Sequence, residues 1–120
     1  MEAKKWVTKI RSMCRKQGID PANYGPVIDT LAGILEKRDY TLAEFERMGG
    51  QPVITYTNKG GKSNPVKNPF LVLWGEMNTS ALAYWRELGL TPSSYRKMTG
   101  DQPKKEKPSA LEKALMNIEV

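Results

Sequence analysis

Histidine is absent from this 120-residue sequence, and Cys14 is its one cysteine. These shortages exclude a disulfide framework, a Cys/His zinc site and the Ser-His and Cys-His pairs of nucleophilic catalysis. Long apolar runs are lacking as well, since the longest covers 70–74 whereas about 20 such residues are needed to cross a bilayer. The N-terminal residues show no apolar stretch of a secretory signal. We therefore expect a soluble protein of a reducing cytoplasm.

Sites for nucleotides and metal ions are missing from the sequence pattern too. Residues 60–63 end like a phosphate-binding loop, but they lack the first glycine at the required spacing. Two-metal nucleases need converging carboxylates, whereas the acidic residues here share a predicted helix with basic ones. We expect these groups to form surface ion pairs: Glu36, Asp39, Glu44 and Glu46 with Lys37, Arg38 and Arg47. The sequence predicts a protein that is not an enzyme and holds no metal or cofactor.

Positive charge is the informative feature of the composition. Lys and Arg number 19 against 13 Asp and Glu, a formal charge of +6, which favours polyanionic partners such as nucleic acid. Residues 4–16 include six basic residues and no acidic one, so we predict that they supply most phosphate contacts. The predicted DNA-binding residues are Lys4, Lys5, Lys9, Arg11, Arg15, Lys16, Lys59, Lys62, Arg96 and Lys97.

Other interpretations of the same basic residues stay open. Lys and Arg commonly occupy exposed helix surfaces and keep them soluble. A basic amphipathic helix with Trp6 at the interface also suits an anionic membrane surface. A third class is an adaptor whose basic face meets an acidic protein, and insensitivity to DNA would favour it.

Apolar periodicity predicts two helices in the first half of the chain. The first covers about 2–17, with Trp6, Ile10 and Cys14 on one face, and ends at Gly18. The second covers about 26–48, and three poor helix formers at 39–41 predict a bend or interruption. Residues 53–57 and the turn formers that follow predict a short hairpin or extended arm. It should pack on the helices or on a neighbouring subunit, because an isolated hairpin is marginal in water.

The third predicted helix, about 69–88, has an apolar arc too wide for one partner helix. We expect one part of the arc to face the second helix and the rest to face another copy of the chain. Burial of the whole helix in its own core fits the same pattern. The predicted oligomer interface comprises Phe70, Trp74, Met77, Ala81, Tyr84, Trp85 and Leu88.

The last quarter predicts a short helix, a linker and a tail. Gly89 and the Thr-Pro pair at 91–92 predict a tight turn and a helix to about residue 98, the outline of a helix-turn-helix. We divide the chain into a helical DNA-binding and oligomerisation domain at 1–98, a flexible basic linker at 99–108 and a tail helix at 109–120. The tail suits docking on a partner or folding back on its own domain. The fold class is mainly α, with a small β-hairpin.

A distinctive block, Leu-Gly-Leu-Thr-Pro-Ser-Ser, occupies residues 88–94, and Tyr-Arg-Lys-Met follows it at 95–98. Chiefly through this block, residues 49–98 resemble the small subunits of phage DNA-packaging terminases. Agreement extends to Gly49, Val53, the turn at 58–61, the Asn-Pro pair at either 64–65 or 68–69, and Ala81. The family often has arginine directly after the two serines, whereas here Tyr95 precedes Arg96.

This resemblance implies a division of labour between two proteins. The small subunit would assemble into a ring-like homo-oligomer and recognise double-stranded viral DNA at the packaging-initiation site in the bacterial host cytoplasm. It would regulate a terminase large subunit that carries the ATPase and nuclease. The alternative is a small phage or mobile-element regulator whose helix at 91–98 reads bases, and dimers on a palindromic site would favour it.

Overall fold

A computed structural model describes residues 1–100. In this range the chain is mainly helical with one small antiparallel sheet, as the sequence predicts. The elements are α1 (Ala3–Lys16), a 3-10 turn (Pro21–Tyr24), α2 (Gly25–Arg47), β1 (Val53–Thr57), β2 (Ser63–Lys67), α3 (Pro69–Glu87) and α4 (Pro92–Thr99). None of these helices is long and apolar enough to cross a membrane. The predicted tail helix, with most of the predicted linker, lies outside the described residues.

Helix α1 lies antiparallel to α2 and buries one face against it. Trp6, Ile10 and Cys14 recur at intervals of four, and all three are buried, because such spacing places side chains on one side of a helix. The helix ends where Gly18 adopts a left-handed φ of 75°, which glycine tolerates without steric cost. The short 3-10 turn then reverses the chain into α2.

Helix α2 runs from Gly25 to Arg47 as one helix, so the predicted interruption at 39–41 is wrong. Two of the three poor helix formers, Asp39 and Thr41, form side-chain hydrogen bonds. The Thr41 hydroxyl donates to the carbonyl of Lys37 at 2.7 Å, and the Asp39 carboxylate accepts the indole N–H of Trp6 at 2.8 Å. Tertiary contacts routinely override weak propensities in this way.

Strands β1 and β2 form the predicted hairpin, with Val53 opposite Lys67 and Thr57 opposite Ser63. The Asn58 side-chain oxygen accepts the backbone N–H groups of Gly60 and Lys62 and closes the turn. All strand residues are exposed except Ile54 and Val66, which are half-buried. Neither strand packs extensively on the helices, so the structure does not show the predicted packing on them.

Helix α3 begins at a well-anchored junction below the hairpin. The buried Asn68 caps it by accepting the N–H of Phe70, while its amide donates to the carbonyl of Gln51. The helix returns antiparallel along α2. Its C-terminal end, together with buried Leu88 and Tyr95, closes the core that α1 and α2 begin.

The turn between α3 and α4 has the predicted compact form. Gly89 is left-handed at φ 71°, and a Cβ there would lie 2.6 Å from the Met98 sulfur and 3.3 Å from the Ile19 Cδ1. Thr91 and Ser94 form a capping box that starts α4. The close approach explains why a glycine stands at the turn.

Candidate nucleic-acid interface

The outer face of α1 is a continuous basic surface. Its six cations are all exposed, and all but Lys9, which borders Trp6, lie on the side opposite buried Trp6, Ile10 and Cys14. We call this set the α1 basic face: Lys4, Lys5, Lys9, Arg11, Arg15 and Lys16. Within residues 1–100 none of the six forms an ion pair with a carboxylate, so their charge is available to an external anion.

Hydrogen bonds on the α2 side of α1 hold the Asp39 carboxylate away from the α1 basic face. The ammonium of Lys9 lies 5.0 Å from the centroid of the Trp6 ring, and the guanidinium of Arg38 lies 5.4 Å from it. Asp39 accepts hydrogen bonds from the Trp6 indole, from Arg38 and from the terminal amine of Met1. Burial raises the pKa of Asp39, but these hydrogen bonds outweigh it and hold the pKa below its ordinary value. The charged carboxylate thus serves the α1–α2 contact.

Other acidic side chains of α2 are also engaged within the chain. Glu36 accepts the backbone N–H of Ala3 at 2.7 Å, and its second oxygen lies 3.9 Å from Lys37. Glu44 pairs with Arg47 at 2.7 Å. The prediction of intrachain ion pairs on α2 is confirmed for these residues and for Arg38–Asp39. Residues 1–100 include no group of three or more side chains that could hold a metal ion.

The smaller basic groups lie at opposite ends of the helical bundle. Lys59 and Lys62 are exposed at the hairpin turn, beyond the C-terminal end of α2. Arg96 and Lys97 are exposed on α4, at the other end, where Ile19 next to the C-terminal end of α1 meets Gly89. The structure therefore brings α4 to the Arg15 end of the α1 basic face and separates the hairpin lysines from both.

An open groove between α3 and α4 adds a residue that the sequence prediction missed. Arg86 lines this groove of about 530 Å³ with Ser93, Ser94 and Lys97, and Glu87 and Met98 complete it. Cations and hydroxyls are the groups that bind phosphate oxygens. The place of Arg86 in this groove depends on how α4 folds back beside the end of α3, so the sequence pattern did not point to it.

The predicted oligomer interface requires correction. Ala81 and Leu88 are 1% and 0% exposed in the chain's own core, so they offer no surface to a second copy. Tyr84 and Trp85 pack against that core, while Phe70, Trp74 and Met77 are half-buried. Helix α2 packs against the middle of the apolar arc of α3, so the central residues of the arc are covered within the chain. The exposed apolar side chains of α3 are instead Val72, Leu73 and Leu82.

The comparisons with known proteins add no relative to this picture. No family model, curated protein or solved structure matches the chain. Function is therefore argued from the charges, the turn and the exposed surfaces described above.

Proposed function

We propose that this chain is a non-enzymatic protein that binds double-stranded DNA, and that it is the small subunit of a phage DNA-packaging terminase. The observation that carries DNA binding is the α1 basic face, which is exposed along the whole helix and free of carboxylate partners in residues 1–100. The α2 carboxylates beside it, Glu36 and Asp39, are bound to the backbone of α1 and to an α2 cation. Charge of one sign on one surface is the electrostatic footprint of nucleic-acid binding.

The length of α1 suits contacts to the DNA backbone. Fourteen helical residues extend about 21 Å, and Lys and Arg side chains along one face reach several phosphates without reading bases. Binding of this kind releases counterions and weakens steeply with salt. In an oligomer the face would be repeated, so individually weak contacts would add through multivalency.

The terminase assignment rests on the resemblance at 88–94. This block forms the α3–α4 turn, with Leu88 buried, Gly89 left-handed and Thr91 as the helix cap. Each distinctive residue of the block thus has a local structural use, which supports the likeness as more than shared composition. In this proposal the chain forms a ring through the outer surface of α3, where Val72 and Leu82 are exposed. It recruits viral DNA in the host cytoplasm and regulates the large subunit.

The test of DNA binding is a paired charge reversal. Arg11→Glu with Arg15→Glu removes two cations of the α1 basic face, and Lys37→Glu with Arg47→Glu makes the same charge change on α2. We expect the first pair to weaken duplex binding and to reduce the salt slope by about 0.9 for each phosphate that the protein no longer neutralises. The α2 pair should weaken duplex binding only slightly, through the lower net charge of the protein. Equal behaviour of the two pairs, with helicity intact, would overturn the assignment.

A second candidate, a helix-turn-helix regulator, is favoured by the α3–α4 turn and the cations beside it. In this case Arg96 and Lys97 would enter the major groove and bind bases. Light scattering at moderate salt separates the two candidates by molar mass. A closed higher oligomer supports the terminase proposal, whereas a dimer that binds a palindromic duplex and loses sequence preference on Arg96→Ala supports the regulator.

A further inference from the structure

An open apolar groove runs between α2 and α3 on the side of the pair away from α1. Its floor consists of Gly33 and Ile34 on α2 and Leu73 and Met77 on α3, and its volume is about 560 Å³. Leu73 is 42% exposed, and a Cβ on Gly33 would meet nothing within 4 Å. Arg38, which bonds Asn78 of α3 and stacks on Trp6 of α1, marks the opposite, covered side.

We propose that residues 109–120 of the same chain dock in this groove as a further helix of the bundle. The occupant is indicated first by its own sequence pattern. Leu111, Leu115 and Ile118 recur at steps of four and three, which forms one apolar stripe on a helix. A short helix of this kind is marginal alone in water, so an apolar groove within reach would stabilise it.

Length is the second argument. The described chain ends at Gly100, and residues 101–108 span up to about 27 Å when extended. Helix α4 is only about 12 Å long, and the near end of the groove at Ser80 lies about 10 Å back along α3 from Glu87. The groove from Thr30 to Lys37 and the stripe from Leu111 to Ile118 each cover seven helical steps, about 10 Å.

Charge complementarity is the third argument. The α2 rim of the groove carries Lys37, and the α3 rim carries Glu76. At 100° per residue, Glu112 and Glu119 border one edge of the tail stripe, whereas Lys113 lies on the face of the tail helix opposite the stripe. With the acidic edge beside α2, a tail carboxylate meets Lys37, and the tail lysine stays in solvent.

The test uses the full chain carrying a nitroxide on Asn117→Cys, a polar position outside the stripe. Cys14 is fully buried, and burial raises the pKa of its thiol, so the label goes to the new cysteine. In a dilute ¹⁵N-labelled sample we expect loss of amide peak intensity at Gly33, Leu73 and Met77, with little loss on the hairpin. Unchanged groove intensities would overturn the proposal.

Two controls separate the tail of the same chain from other occupants. Mixing spin-labelled unenriched chains with unlabelled ¹⁵N chains should leave the groove signals intact, and broadening there would mean that a second copy's tail is the occupant. Gly33→Trp fills the groove and should abolish the broadening. Gly75→Trp makes the same substitution on the face of α3 turned away from the groove, where a Cβ also meets nothing within 4 Å, and should leave the broadening intact. Leu73→Glu places a charge in the groove without adding bulk at Gly33, and it should abolish the broadening as well. DNA binding is not needed for this docking, so the two proposals fail independently.

Discussion

The helical bundle and the β-hairpin obtain their order in different ways. The bundle buries Ile10, Leu31, Leu35 and Leu88 completely, so each helix is held by apolar contacts from distant parts of the chain. The hairpin buries no strand residue and is held by its own backbone ladder and the Asn58 turn. Since a two-stranded hairpin is marginal by itself, the contrast teaches that the bundle is self-sufficient, whereas the hairpin is the part that a partner would stabilise most.

The largest expected effect comes from emptying the core of the bundle. Leu88→Ala removes a fully buried side chain and should lower the free energy of unfolding by about 2–5 kcal/mol. Leu82→Ala on the same helix removes a side chain that is 39% exposed and should cost about 0.5 kcal/mol or less. Urea unfolding followed by circular dichroism measures both, and equal losses would contradict the burial assigned to α3.

A smaller effect is expected at the turn that joins α3 to α4. Gly89→Ala places a Cβ in a left-handed residue and against Met98, which should cost about 1–2 kcal/mol from the backbone conformation alone. The matched control, Gly33→Ala, meets no atom within 4 Å and should stabilise α2 by up to about 1 kcal/mol. Thermal unfolding of the two variants should therefore shift in opposite directions.

The α1–α2 contact predicts a pH dependence. The pKa of Asp39 is held below its ordinary value of 3.8, so its contribution to stability is complete above that pH and is lost as pH falls through the lower, folded value. Asp39→Asn should cost about 1 kcal/mol at neutral pH, and its difference from the unsubstituted chain should shrink in acid. Asp29→Asn removes an exposed charge of α2, and its difference in stability from the unsubstituted chain should not shrink in acid. Urea unfolding at several pH values measures both variants.

The smallest effect on the bundle is expected from loosening the hairpin. Asn58→Ala removes the acceptor of two backbone N–H groups and should abolish amide-exchange protection of both strands. The free energy of unfolding of the helices should change by about 0.5 kcal/mol or less, because neither strand packs extensively on them. Asn58→Asp keeps the acceptor and should preserve protection. A concerted loss of helix stability would show that the two regions are coupled.

The DNA-binding candidates illustrate how far residue types alone carry a site. The basic residues of α1 follow from sequence because charged side chains on an amphipathic helix face water whatever the helix packs against. The contribution of Arg86 depends on how α4 folds back beside the end of α3, which a one-dimensional pattern leaves open. The relation of the hairpin lysines to α4, at opposite ends of the bundle, likewise depends on helix direction.

The sequence by itself determined the helices, the hairpin, their turns and the one-sided charge of α1, since these depend on local spacing and on conformational preferences such as those of Gly18 and Gly89. Only the tertiary structure decided that α2 stays continuous through 39–41, because the hydrogen bonds that hold Asp39 come from the terminal amine of Met1 and from Trp6 of α1. It also decided which part of the α3 arc is buried. Periodicity gives the width of an apolar face, whereas packing against α2 selects Ala81 and Leu88 for the core and leaves Val72, Leu73 and Leu82 exposed.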